Sequence, residues 1–133
     1  MIELCKSEEF ILTLDPVEVE AQISSVSFNV AAEMTLSYQK ASIEFQSCWI
    51  KIDALSGFEN QLSELIQQKS GCVVLANFKQ HPVITIKKDG GETDIIVEAS
   101  DTMGYGNARI KVPGYADELV EMLGRLKAYP KFW

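Results

Sequence analysis

Histidine is almost missing from this chain: His81 is the only one, and it stands directly before Pro82. A Ser-His-Asp or Cys-His arrangement would have to use that residue. No strand-turn-helix G-x-S-x-G elbow accompanies it, so nucleophilic catalysis is not expected. Cysteine is also sparse. Cys5, Cys48 and Cys72 form an odd set without the short spacing of a zinc site or the even count of a disulfide framework. They predict reduced, mostly buried thiols. No stretch approaches the roughly 18 consecutive apolar residues of a membrane-spanning helix. The start, Met1 to Glu9, lacks the basic segment and apolar run of an export signal. A cytoplasmic location is therefore expected. Internal repeats, low-complexity tracts and Pro/Ser-rich linkers are absent from the pattern, and 133 residues suit one core, so residues 1–133 are expected to form a single domain.

Basic residues are scarce at the beginning. Residues 1–33 hold seven acids (Glu3, Glu8, Glu9, Asp15, Glu18, Glu20, Glu33) against Lys6, whereas residues 34–133 hold twelve acids and eleven bases. Six of the seven excess negative charges thus belong to the first quarter of the chain. Nucleic acids and anionic membranes require basic surface, so this balance argues against both as direct ligands. A basic protein partner suits it.

From Phe10 to Ile52 the apolar residues alternate as in antiparallel strands, with changes of parity that mark turns or bulges. Val17, Val19, Ala21 and Ile23 share one face and Glu18, Glu20 and Gln22 the other. After Ser24-Ser25 the apolar positions become Val26, Phe28, Val30, Ala32, Met34, Leu36 and Tyr38. Gln39–Ser42 reads as a turn before Ile43, Phe45 and Trp49. Ser56-Gly57-Phe58-Glu59 has the capping-box pattern and predicts a helix with Phe58, Leu62, Leu65 and Ile66 on its apolar side, closed by Gly71. Cys72–Ala76 reads as a short buried strand. Pro82–Ile86 leads through Asp89-Gly90-Gly91 into Ile95-Ile96-Val97, a hairpin. Gly104-Tyr105-Gly106-Asn107 is a further turn before the strand Ala108–Val112. Pro113-Gly114 then opens a second helix with Tyr115, Leu119, Met122, Leu123 and Leu126 apolar, Asp117 and Glu118 near its start, and Pro130 beyond its end. The expected class is α+β: an antiparallel β-sheet of about six to eight strands, meander-like, covered by two amphipathic α-helices.

The remaining chemistry is thin. Asp89, Glu92 and Asp94 around the Gly90-Gly91 turn lack EF-hand spacing and read as a hairpin tip, so no metal site is expected. Gly104-Tyr105-Gly106 lacks the third glycine of a dinucleotide site, and no cofactor is expected. Glu18/Glu20, or Asp101 beside the glycine turn, could serve carboxylate catalysis, but nineteen acids make such pairs inevitable by chance. Recognition fits better. Glu18 and Glu20 should project from one strand face near Asp15, Glu8 and Glu9 and create a focused negative field. Asp101 and Tyr105 on a turn add contact candidates. The tail Ala128–Trp133 offers aromatic anchors or packs on its own sheet.

The strands ending in Cys48-Trp49-Ile50-Lys51-Ile52, the helix from Ser56 to Gln68, the strand Pro82–Ile86 and the closing helix Tyr115–Leu126 resemble the WapI-like immunity proteins of bacterial polymorphic and contact-dependent inhibition systems. The resemblance spans about Val26 to Leu126. It implies a non-enzymatic cytoplasmic inhibitor that binds a cognate toxin domain, with no catalytic or contact residues to transfer. Acidity fits a basic toxin such as a nuclease. A non-toxin adaptor or assembly module is the alternative expectation, and a small carboxylate-using enzyme a more distant one.

Overall fold

The computed structural model describes residues 1–101 and 103–133. Eight strands alternate with two helices in the order β1 (Ile2–Lys6), β2 (Phe10–Glu20), β3 (Ser25–Thr35), β4 (Lys40–Lys51), α1 (Ile52–Gln67), β5 (Ser70–Ala76), β6 (Pro82–Asp89), β7 (Glu92–Ser100), β8 (Asn107–Gly114) and α2 (Ala116–Ala128). The α+β class holds, but the strands divide into two four-stranded antiparallel meanders, β1-β2-β3-β4 and β5-β6-β7-β8. Four strands and a helix therefore occur twice. No sequence repeat announces this, because sheet position demands only apolar alternation and not particular residues.

The helices exchange sheets. α1 follows β4 yet packs mainly on β5, α2 follows β8 yet packs on β1, and the two helices meet each other, while β8 abuts β4 and β3. Each sheet's inner face is covered by elements of both halves, and a single apolar cluster runs from Leu4, Leu12, Leu14 and Phe28 through Leu62 and Leu65 to Ile84, Ile86, Ile95 and Met122. Gly71 serves this packing and not a helix end: a Cβ there would lie 2.8 Å from Leu65 Cδ1. The residue after α1, Gln68, is extended, so no left-handed closure occurs. Instead the Lys88 ammonium on β6 donates to the carbonyls of Leu65 and Ile66 at 3.3 and 3.2 Å. Lys131 does the same for α2 at Leu126 O and also reaches Glu59 on α1. A cation at a helix C-terminus satisfies free carbonyls and the local dipole.

The parity changes have specific sources. Register shifts fall between Glu3 and Cys5, between Pro16 and Glu18, and between Phe28 and Val30 opposite Cys48 and Phe45. In the last, Ser47 takes φ 56°, an extra residue in the left-handed region that restores Cys48 and Ile50 to the core side. Ala21–Ile23 is not strand but a 3-10 turn, in which Glu20 accepts from the Gln22 N–H.

Four expectations change. Leu36 and Tyr38 continue the strand parity but lie in the β3–β4 turn, where Tyr38 is 98% exposed; the turn is closed by Leu36 N–H donating to Gln39 O, and Lys40 already begins β4. α1 starts at Ile52, four residues before Ser56, because the Ile52 N–H finds Ser24 O at 2.9 Å and the connection between β2 and β3 does the work of a cap. β5 is half wet: Val73 and Leu75 are buried, while Cys72 and Val74 are exposed. Pro113 and Gly114 end β8, and Tyr115 caps α2 from outside with its side chain exposed. Within α2, Leu119, Met122 and Leu126 are buried as the spacing requires.

Candidate functional site

Strand β2 spaces the predicted acids along its length. Glu8 and Glu9 sit in the β1–β2 turn and Glu18 and Glu20 at the strand's far end, roughly 30 Å away at strand rise. The acids of residues 1–33 are therefore not one focus. Asp15 lies between them and meets the N-terminal ammonium at 3.9 Å. Asp101 and Tyr105 belong to the other sheet, in the β7–β8 turn. There the Asp101 carboxylate accepts the Tyr105 N–H at 3.2 Å and Gly104 takes φ 77°, leaving the Tyr105 side chain 85% exposed. Among the described residues no hydrogen bond, ion pair or cavity joins that turn to the acids of β2.

Cross-strand register assembles a different constellation on the outer face of the first sheet. Lys6, Ile11, Glu33 and Ser42 form one row; Glu3, Thr13, Ala31 and Glu44 the next; then Asp15 with Asn29; Glu18 with Ser27 and Trp49; and Glu20 with Ser25 and Lys51. Six carboxylates face outward with three lysines, Lys6, Lys40 and Lys51. Lys6 is engaged by Glu3 at 3.2 Å and Lys40 by Glu33 at 3.1 Å, exposed pairs of small energetic weight. Lys51 lies over the Phe78 ring, 5.3 Å from its centroid. Among the described residues Glu18, Glu20 and Glu44 have no ion pair. The small side chains Thr13, Ala31 and Ser42 leave a shallow depression of about 220 Å³ bordered by Ile11, Glu33 and Glu44. Glu33 and Glu44 join Glu18 and Glu20 on one face, several rows apart, only through the pairing of three strands. Alternation within β4 shows that Glu44 opposes Ile43 and Phe45 in facing, but not which neighbours it meets.

The second geometric candidate contains the catalytic residue types. A cavity of about 130 Å³ between β4 and the second sheet is lined by Ser47, Cys48, Asn77, His81, Glu98 and Ser100, among others. A thiolate-imidazolium pair would hold the thiol below its ordinary value. Cys48 shows the reverse: burial pushes its thiol from 9.0 up to about 11, so it remains protonated and unactivated. Burial likewise pushes Cys5 to about 12, with Glu118 adding to the rise and Arg125 opposing it. Both behave as core residues. The thiols are mostly buried as expected, and Cys72 is the exposed one, since its strand is an edge with one face in solvent. At the β6–β7 hairpin Gly90 takes φ 62°, and Asp94 on β7 bridges to Lys111 at 3.7 Å. Among the described residues no group of three or more metal-ligating side chains occurs, and no helix is long and apolar enough to cross a membrane. The C-terminal tail folds home: Trp133 packs edge-on against Phe28 at 5.9 Å and stacks with Tyr129.

The chain matches no family model, no characterised protein and no solved structure.

Proposed function

We propose that this chain is a binding protein that neutralises a basic partner by covering it, the role implied by the resemblance to immunity proteins. The partner is a toxin domain with a cationic substrate surface, such as a nuclease, met in the cytoplasm. One observation supports this reading above the rest: six carboxylates on one open sheet face against three lysines, two of which are already paired. A pleated sheet presents these groups on a rigid frame, so little ordering entropy is lost on docking. The negative field accelerates encounter and rejects anionic competitors. The depression at Thr13, Ala31 and Ser42 admits a side chain of the partner between Glu33 and Glu44.

The test is to read the adjacent gene for a secreted protein ending in a small toxin-like domain, to co-express and co-purify the chain with that domain, and then to reverse charge at Glu18→Lys, Glu20→Lys and Glu44→Lys. The triple variant should keep its fold, lose roughly tenfold or more in association rate, and show a shallower salt dependence. Unchanged association and unchanged salt dependence would remove this face from the interface. Failure of the native protein to protect cells making that domain would remove the inhibitory role itself.

A further inference from the structure

A groove of about 280 Å³ opens where the two halves meet, between the β3–β4 turn and the start of α2. Half of its lining is apolar, with Met34 and Leu36 from the first half and Val112, Pro113 and Tyr115 from the second, and the rest is polar. Leu36 and Tyr115 leave apolar surface exposed at its rim, at 47% and 63%. A tyrosine at such a rim is suited to packing against an inserted group, since it buries a large area with few rotatable bonds. The volume lies below the range of small-molecule and cofactor pockets, which suits one side chain.

Charge selects the occupant. Among the described residues, the groups lining the groove that carry charge at neutral pH are Glu9, from the β1–β2 turn, and Glu118, from the first turn of α2. Neither has an ion pair among the described residues. The carboxyl of Glu118 is held above its ordinary value, first by partial burial and then by Asp117, Glu121 and Glu9, against an opposing backbone hydrogen bond at Tyr115. Negative charge is thus gathered at a half-apolar cleft, with no ion pair to balance it among the described residues.

We propose that this groove receives one arginine or lysine side chain of the basic partner, its aliphatic stem against Met34, Leu36, Val112 and Tyr115 and its cation between Glu9 and Glu118. Long cationic side chains are built for such a site, apolar along the stem and charged at the tip. The inference rests on the partner being a basic protein. It assigns the acids of the β1–β2 turn a role separate from the sheet face, roughly 30 Å along β2 from Glu18.

The probe is a blocked pentapeptide, acetyl-Gly-Gly-Arg-Gly-Gly-amide, titrated into the isotopically labelled full chain and followed by NMR. Its citrulline counterpart has the same shape without the charge. Saturable shifts centred on Leu36, Tyr115 and Glu118, about tenfold or more weaker with citrulline and with the Glu9→Gln/Glu118→Gln variant, support the site. Equal responses to both peptides, shifts that survive the double substitution, or shifts centred elsewhere would overturn it. Folding of the variant is checked by its unchanged spectrum away from the groove. Peptide binding here with no effect of reversal at Glu18, Glu20 and Glu44 on partner association would sink the sheet-face reading alone; the opposite pair of results would sink the groove alone.

Discussion

The two halves of the molecule share an order of elements and almost nothing else. Residues 1–67 carry eleven acids and three bases, a balance of −8; residues 68–133 carry eight acids and nine bases, a balance of +1. The outer face of the first sheet is acidic. On the second sheet the equivalent face carries Lys87, Arg109 and Lys111 beside Asp94 and Glu98, a mixture in which Asp94 and Lys111 already pair. Every pairing in the first sheet has a register shift, whereas β6–β7 and β7–β8 run without one. Bulges bend and twist a sheet and re-aim its side chains, and edges and interfaces tolerate them where a purely structural sheet gains nothing. The inner faces obey the same rule in both halves, because the exchanged helices seal them into one cluster. Outer faces are free to diverge, and there the charge has gone to one side.

The largest expected contrast is in thiol chemistry. Cys5 and Cys48 belong to the first sheet and are buried; Cys72 is on the wet face of β5. In native protein a thiol reagent should modify Cys72 quickly and the other two only through unfolding, a ratio of at least about 10³ for a domain of ordinary stability. Mass-spectrometric timing of modification reads this directly, and rapid labelling of Cys48 would show that the first sheet opens by itself. The raised values also set an alkaline limit. The unfolded chain ionises near 9.0 while folded Cys5 resists to about 12, so stability contributed by that burial is present below pH 9 and is lost as pH climbs toward 12.

Phe28→Ala comes next. This ring is fully buried at the centre of the first sheet, yet it contacts Trp133 from the end of the second half. A loss of about 3–5 kcal/mol is expected. Because the helices are exchanged, both halves should still unfold in one step, with coincident urea transitions by circular dichroism and tryptophan fluorescence. Two separated transitions would mean that the halves are independent and the shared core is not cooperative.

Gly57 in α1 and Gly124 in α2 occupy interior helical positions, and a Cβ at either meets nothing within 4 Å. Alanine at each should stabilise by about 0.5–1 kcal/mol and the two gains should add, as calorimetry or urea titration would show. A gain in one helix only would reveal that the glycine of the other half is retained for approach by something outside this chain.

Much of this architecture was visible in the chain, and the rest was hidden for definite reasons. The apolar stripe of α1, the buried positions Leu119, Met122 and Leu126, and the Gly90 hairpin all follow from local periodicity and turn chemistry. The start of α1 is hidden because Cys48–Ile52 looks like continuing strand while Ser56 and Glu59 imitate a cap; a backbone partner at Ser24 outweighs both. The acidic face needed the pairing of β2 with β3 and of β3 with β4, information that no single strand contains. Glu9 and Glu118 lie far apart in sequence, and only the packing of α2 on β1 brings them to one groove.

The smallest contrast concerns the two helix starts. Asp53 is the sole acid in the first turn of α1, whereas the first turn of α2 holds Asp117 and Glu118, with Glu9 close by from the first half. One carboxylate at a helix N-terminus complements the dipole, so Asp53→Asn should cost about 0.3–1 kcal/mol. At α2 the sign reverses. A carboxyl held above its ordinary value binds its proton more tightly folded than unfolded, so stability falls as pH rises through the carboxyl range. Glu118→Gln should therefore stabilise near neutral pH, by no more than about 0.5 kcal/mol at a position only partly buried and open to solvent screening, and the gain should vanish in acid, where the native carboxyl is already protonated. Thermal melts of both variants at pH 7 and at strongly acidic pH decide the point. A loss at Glu118 comparable to that at Asp53 would mean that the dipole outweighs the crowding, and the acids of the groove would then be serving their own helix and not awaiting a cation from a partner.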